Sequence, residues 1–391
     1  MKTSIFITTI LATTISLASC QNSNAKPTAN DSAKTSAIEK PTPDDSTKIQ
    51  VALLLDTSNS MDGLIEQAKS RLWNIVNTLT TLKYNGKTPD IEIALYEYGN
   101  DGLSAQSNFI RQVTALSTDL DLISEKLFTL KTNGGNEYCG AVIQDATKNL
   151  VWGKDNNNMK LIYVCGNEAF NQGVVYYKEA ISDALKNNIY VNTIFCGNQT
   201  DGVNTYWKDG AEYGKGKFFN IDSNKVIQYI VTPYDVEITR YNDRINTTYI
   251  NYGSRGYEKK RSQEKEDDNA KTISSANMTA RAVSKSKSAY KNDSWDLVDK
   301  IKDDKSVIDK LKKEELPVEL QNKTKDEIKL IVANKSKERE TIQKQIGELA
   351  KKRQAYIDGE AKKTKTQDDL GNAISESILS LAKLKGYTVE N

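Results

Sequence analysis

The sequence predicts an α/β domain on a doubly wound, mostly parallel sheet, followed by an all-helical region with a long helical hairpin. Three observations carry this expectation. From Lys48 onward, short apolar runs of strand length alternate with amphipathic stretches of helical period, the pattern of parallel strands joined by crossover helices. The first run, "VALLLDTSNSMDG" (residues 51–63), stops on a carboxylate and continues with serines at alternate positions. After Pro233 the chain turns rich in Lys, Glu, Asp and Asn, with few glycines and no run that reads as a strand.

At 391 residues the chain is long enough for about two domains with cores of their own. Its 54 basic and 52 acidic residues are mixed along the sequence, for a formal charge of +2. No field of one sign therefore points to nucleic acid or another charged polymer. The complete absence of histidine removes the commonest general base, the Ser-His-Asp and Cys-His arrangements and every imidazole metal ligand.

The start of the chain is set apart from the rest. Lys2 precedes the apolar stretch "SIFITTILATTISLAS", which ends at Ser19, the length of a signal-peptide core and too short for a comfortable membrane span. Leu17-Ala18-Ser19-Cys20 resembles the lipobox of bacterial lipoproteins. That resemblance implies cleavage of residues 1–19 as a signal peptide, acyl chains such as palmitate on Cys20, and a lipid anchor in the cell envelope. Two or more acyl chains hold a protein stably where one does not. Gln21, in place of an aspartate after the cysteine, implies the outer membrane of a two-membrane bacterium. Residues 20–47 carry no hydrophobic period and read as a disordered tether. The remaining cysteines, Cys139, Cys165 and Cys196, make no disulfide framework and read as buried thiols, with one bridge, Cys165 to Cys196, left open.

In the segment 48–232, "IQVALLLD" reads as a buried strand and "LIEQAKSRLWNIVNTL" as a helix with Leu64, Ala68, Leu72, Ile75 and Leu79 on one face. Ile91–Gly99 and Arg111–Leu116 read as two further strands. "TDLDLISEKLFTL" follows as a helix capped by Thr118 or Asp119, and "AVIQDATKNLVW" as another. Lys160–Gly166 and Ile189–Gly197 are continuous apolar runs around the helix "VVYYKEAISDALKNN", as central parallel strands should be. "KFFNI" closes the series. Ligands of such sheets bind beyond the carboxyl ends of the strands, where Asp56 falls.

A hard divalent cation such as Mg²⁺ takes oxygen ligands, and Asp56, Ser58 and Ser60 supply a carboxylate and two hydroxyls from one extended turn. Because the hydroxyls are neutral, an acidic residue of a partner protein is a favoured further ligand. A buried strand, D-x-S-x-S and an amphipathic helix at the start of an alternating α/β domain resemble the von Willebrand factor type A (VWA) domain and its metal-ion-dependent adhesion site. The resemblance covers roughly Lys48 to Thr232.

That family adds a threonine from a glycine-containing loop and an aspartate after its fourth strand. Here Asn136 stands at the first position, with Thr132 and Glu137 as further candidates, and Asn167 at the second, with Glu168 beside it. The implied metal ligands are thus Asp56, Ser58, Ser60, Asn136, Asn167 and Glu168, around Mg²⁺, Mn²⁺ or Ca²⁺ held weakly. Tyr138, Phe170 and Trp207, with Tyr206, lie in segments leaving strand ends; they read either as anchors of a partner-binding rim or as packing beneath the loops. The function expected is that of a lipid-anchored envelope protein, not an enzyme, that binds another protein through this site. Two alternatives stay open: a metal-independent scaffold with a degenerate site, and a metal-assisted hydrolase using Glu137 and Glu168.

The helical region spans 233–391. The charge-dense Glu258–Lys271 reads as a solvated helix or a linker. Trp295, Val298, Ile301, Ile308 and Leu311 repeat at helical spacing before Pro317. From a cap at Thr324 a helix of roughly 50 Å can run to about Ile357, with Ile328, Ile331, Lys335, Ile342, Ile346, Leu349 and Tyr356 along one stripe. Its expected hairpin partner is the last helix, carrying Leu370, Ile374, Ile378, Leu381 and Leu384.

Overall fold

The computed structural model describes residues 46–364 and 369–390. The expected signal peptide, the lipid-bearing Cys20 and the tether as far as Asp45 lie outside the described residues. From Ser46 onward the chain forms one compact unit.

β1 (Lys48–Asp56) buries every residue but its first, as an apolar run covered on both faces must. α1 (Asp62–Thr80) follows and buries Leu64, Ala68, Leu72, Ile75 and Leu79. After the two-residue β2 (Leu82–Lys83) come β3 (Asp90–Tyr98), β4 (Ile110–Ser117) and α2 (Leu120–Thr129). The Asp119 carboxylate accepts the Leu122 amide at 3.0 Å, so Asp119, not Thr118, caps α2. Next are α3 (Cys139–Asn149), β5 (Met159–Gly166), α4 (Tyr177–Lys186), β6 (Ile189–Cys196), the short α5 (Gln199–Asn204) and α6 (Trp207–Tyr213), and β7 (Lys215–Ile221).

All of these strands except β2 form one sheet in the order β4-β3-β1-β5-β6-β7. All neighbours are parallel except the edge pair β3–β4. From β1 the chain crosses to β3 on one side, whereas from β5 it crosses to β6 on the other. The crevice at which a doubly wound sheet binds ligands therefore opens at the carboxyl ends of β1 and β5. One face carries α3, α4 and Trp207 of α6 against Ala52, Leu54, Tyr96, Tyr98, Ile162 and Val164. The other carries α1 and α2 against Ile49, Val51, Leu53, Ile93 and Leu161.

The helical region comprises α7 (Asp235–Asn246), α8 (Gly256–Ile273), α9 (Ser275–Lys285), α10 (Leu297–Asp303), α11 (Val307–Lys310), α12 (Lys325–Thr364) and α13 (Leu370–Leu384), with β8 (Thr388–Val389) pairing antiparallel to β2. Thr324 starts α12 in a capping box: its amide and hydroxyl donate to the Glu327 carboxylate, whose own amide reaches the Thr324 hydroxyl. The charge-dense segment forms α8, a helix with a solvated outer face that also buries Gln263, Glu266 and Asp267 on the other.

Among the described residues the expected hairpin is not seen. α12 packs on α7, α9, α10 and α11, while α13 lies on α1 and on β5, β6 and β7. Leu370, Ile374, Ile378 and Leu381 join the same core as β1 and α1. Asp369 pairs with Arg71 at 2.6 Å, and the Ser377 hydroxyl donates to Asn192 of β6 at 2.6 Å. The crossover helices α3, α4 and α6 leave this side of β5–β7 bare, and a central parallel strand has to be covered on both faces. Truncating Ile374 to alanine should accordingly cost about 2–5 kcal/mol in urea unfolding. A helix standing on a projecting hairpin would melt separately; here a single shared transition is expected to shift.

Candidate metal centre

Asp56 ends β1 with its side chain fully buried. The Ser58 amide donates to Asp56 Oδ1 at 2.7 Å, but Oδ2, equally buried, has no hydrogen-bond partner among the described residues. A carboxylate oxygen left dry and unpaired is costly, and a cation or a proton is what would satisfy it.

Two glycines keep side chains from crowding this carboxylate. A methyl group at Gly99 would sit 2.9 Å from Asp56 Oδ1 and 2.8 Å from Glu137 Cγ. At Gly166 it would sit 2.9 Å from Asp56 Oδ2 and 2.6 Å from the Tyr98 hydroxyl. The Ser58 and Ser60 hydroxyls lie 3.3 Å apart, and Ser60 Oγ lies 3.4 Å from Asn167 Oδ1. Neither serine side chain caps the turn at Asn59–Met61 or the start of α1, so helix capping does not account for the alternate serines. Just before them Thr57, between Asp56 and Ser58, is clamped: its amide donates to Tyr98 O at 2.9 Å, and its carbonyl accepts the Asn133 amide at 3.0 Å. Asn100 links Thr57 to the Lys131 carbonyl.

Glu137, rather than the preceding Asn136, reaches this centre. Asn136 is exposed, whereas Glu137 is buried beside Gly99 and Asp56. The cause is a backbone approach that only glycine allows. Gly135 has φ +149°, and a Cβ there would overlap the Gly99 carbonyl oxygen at 1.5 Å. Gly135→Ala should therefore push the two loops apart and abolish any Mg²⁺-induced rise in melting temperature, while the β-sheet circular dichroism stays unchanged.

Burial, the larger cause, pushes the Asp56 carboxyl up to about 7; hydrogen bonds from Ser58 oppose this, and the charges of Glu137 and Glu168 add to it. Glu137 is likewise pushed up to about 7, first by burial and then by Glu168 and Asp101. Glu168 is exposed and acts on the centre through its charge, while its carbonyl accepts the Trp207 indole N–H at 2.6 Å. Thr132 is turned away to donate to the Asp62 carboxylate. That pair borders a groove of about 380 Å³ lined also by Ile65, Glu66, Lys69 and Leu130.

Two of the three rim residues are not on a rim. Phe170 and Trp207 are fully buried, their rings 4.9 Å apart, and pack with Phe195 and Tyr177 beneath the loops. Tyr138 is half-buried, edge-on to Phe109 at 6.1 Å. The aromatic surface nearby is made by Tyr176 and Tyr206, both about half exposed. Cys139, Cys165 and Cys196 are free and buried.

Among the described residues no three acidic or sulfur side chains gather closely enough to make a metal centre by themselves. The donor set is instead a few carboxylates with serine hydroxyls and an amide oxygen. Hard oxygens of this kind suit Mg²⁺, Mn²⁺ or Ca²⁺, and the orphaned Asp56 oxygen fits such an ion.

Residues 50–232 match the family model described as the von Willebrand factor type A domain. No curated protein matches the chain. Among solved structures, proximal thread matrix protein 1 from the mussel byssus, with a zinc-occupied MIDAS motif, is 13% identical over 46% of this chain and 43% of that one, with a TM-score of 0.35. This chain thus spans less than half the length of the mussel protein. The SpRpn10 VWA domain is 17% identical over 44% of this chain and 87% of its own, with a TM-score of 0.32. The pilus adhesin SpaC of Lactobacillus rhamnosus GG, in an open conformation, is 10% identical over 46% of this chain and 28% of its own, with a TM-score of 0.34. The sheet order, the D-x-S-x-S turn at the carboxyl end of β1 and the family match agree: residues 50–232 of this chain are a von Willebrand factor type A domain.

Proposed function

We propose that this VWA domain binds a partner protein through a divalent cation, Mg²⁺ foremost, held by Asp56, Ser58 and Ser60, with Asn167 beside Ser60. The observation that carries this reading is the buried, unpaired Asp56 Oδ2, beside two glycines where any side chain would run into the carboxylate. When bound, the cation would act as an electrophilic anchor for an oxygen of the partner. Exposed Tyr176 and Tyr206 supply aromatic surface nearby. The reading assigns binding rather than catalysis, in keeping with a chain that has no histidine. It extends to the expected attachment: acylation at Cys20 would tether the domain in the cell envelope, at the outer membrane.

A crosslinking pull-down from intact envelopes, with Mg²⁺ or with EDTA, tests the metal dependence. At least one partner should appear only with Mg²⁺ and vanish in Asp56→Ala. A partner list identical in all three conditions would overturn the reading. The anchor has its own readout: Cys20→Ser should release the protein from the membrane fraction.

A further inference from the structure

We propose that Glu137 is itself a ligand of the cation, so that the loaded site is charge-balanced by this chain alone and recruits no carboxylate from the partner. The inference rests on the metal reading above and changes what that reading says about the partner. Serine hydroxyls alone would leave a divalent ion undercompensated, which is why an acidic partner residue was expected.

The structure supplies the missing charge internally. Glu137 is only 8% exposed, and the Cβ position at Gly99 lies within 3 Å of both its Cγ and Asp56 Oδ1. The Gly134–Gly135 backbone, pressed against the Asp101 side chain and the Gly99 carbonyl, holds it there. Neither Asp56 nor Glu137 forms an ion pair with a lysine or arginine among the described residues. Two buried carboxyl groups thus stand side by side with no protein counter-charge between them. The unpartnered Asp56 Oδ2 marks where that counter-charge belongs. A doubly charged cation facing two carboxylates, with Ser58 and Ser60 as neutral ligands, closes the balance.

Mn²⁺ titration of the full chain by calorimetry tests this, with and without acetate as a free carboxylate probe. Glu137→Gln should weaken Mn²⁺ binding about tenfold or more. Acetate should leave the wild type unchanged and restore part of the affinity in Glu137→Ala, where the vacated volume admits it. Melting of both variants in EDTA at pH 8 should be no lower than wild type, since a buried like charge has been removed. Equal Mn²⁺ affinity of wild type and Glu137→Gln would overturn the inference and leave the metal reading standing, as would acetate tightening Mn²⁺ on the wild type. No Mn²⁺ binding by the wild type would end both.

Discussion

Replacing Arg281 by alanine is expected to destabilise the protein by about 3–5 kcal/mol, read as a lower urea midpoint. Arg281 on α9 is fully buried. Its guanidinium donates to Asp121 of α2 and to Asp267 of α8, each at 2.6 Å, and to the Gln263 carbonyl at 2.9 Å. It also lies over the Trp73 ring of α1, 4.7 Å from the centroid. Lys285, one turn further along α9, reaches Asp267 at 3.0 Å, and the Tyr290 hydroxyl donates to Asp121 at 2.5 Å. Burial works against ionisation of Asp267, but Lys285 and Arg281 outweigh it and hold the carboxyl well below its ordinary range.

Two cations, both fully buried, and two nearly buried carboxylates therefore balance one another. Without Arg281, one buried carboxylate is left uncompensated, and an unpaired buried charge costs far more than a lost surface pair. The double variant Arg281→Met/Asp121→Asn should recover part of the loss, because it removes the stranded charge along with its partner. Full additivity of the two single changes would argue that they do not share one network. Because Asp121 belongs to the VWA domain and Asp267 to the helical region, the whole of Ser46–Asn391 should lose stability in one transition.

The metal-free protein should lose thermal stability as pH rises from 5 to 8, the reverse of ordinary acid sensitivity. The sign follows from Asp56 and Glu137, both held near 7 in the fold and near 4 when unfolded. Below about 4 both states are protonated and the contribution is fully present. Between about 4 and 7 the unfolded state ionises freely while the folded state keeps its protons in a dry site, so the contribution is lost progressively and is gone once pH passes 7. A cation competes with those protons, so the Mg²⁺-induced rise in melting temperature should be small at pH 5 and large at pH 8. At a free concentration 100 times Kd the stabilisation amounts to about 2.7 kcal/mol. Asp56→Asn should remove the Mg²⁺ response and, in EDTA at pH 8, melt no lower than wild type. Thermal melts of the two proteins at both pH values, with Mg²⁺ and with EDTA, check all of this. A wild-type protein in EDTA that is steadier at pH 8 than at pH 5 would contradict it.

The elements of the VWA domain were legible in the sequence because their signals are local. The apolar runs that become β1, β5 and β6 are buried on both faces, so the run itself is the signal. Asp119 and Thr324 were legible as caps for a similar reason: a cap reads groups within its own first turn. The D-x-S-x-S turn belongs to the same class, since strand, carboxylate and serines are consecutive.

Other features failed to show for identifiable reasons. Asn136 and Glu137 are neighbours in a glycine-rich loop, and which of them faces Asp56 depends on the backbone at Gly134 and Gly135, with φ +27° and +149°. Phe170 and Trp207 sit in loop sequence, yet they are buried by each other and by Phe195, partners from separate segments. Arg281 and Arg339 look like surface residues on their helices, and only distant carboxylates, Asp121 and Asp296, make their burial tolerable. α13 has a clear apolar face, but a periodic pattern says that a face must be covered and not by what.

By itself, then, the sequence determined the α/β order, the strand that ends on Asp56, the serines that follow it and the helical character of the last third. Each of these follows from backbone periodicity and short-range hydrogen bonding. Only the tertiary structure decided that Glu137 rather than Asn136 stands against Asp56, that α13 closes the sheet instead of pairing with α12, and that Arg281 welds the two regions together. Those outcomes depend on which surfaces remain uncovered and which charges remain unpaired once the sheet has formed, and both are properties of the assembled chain.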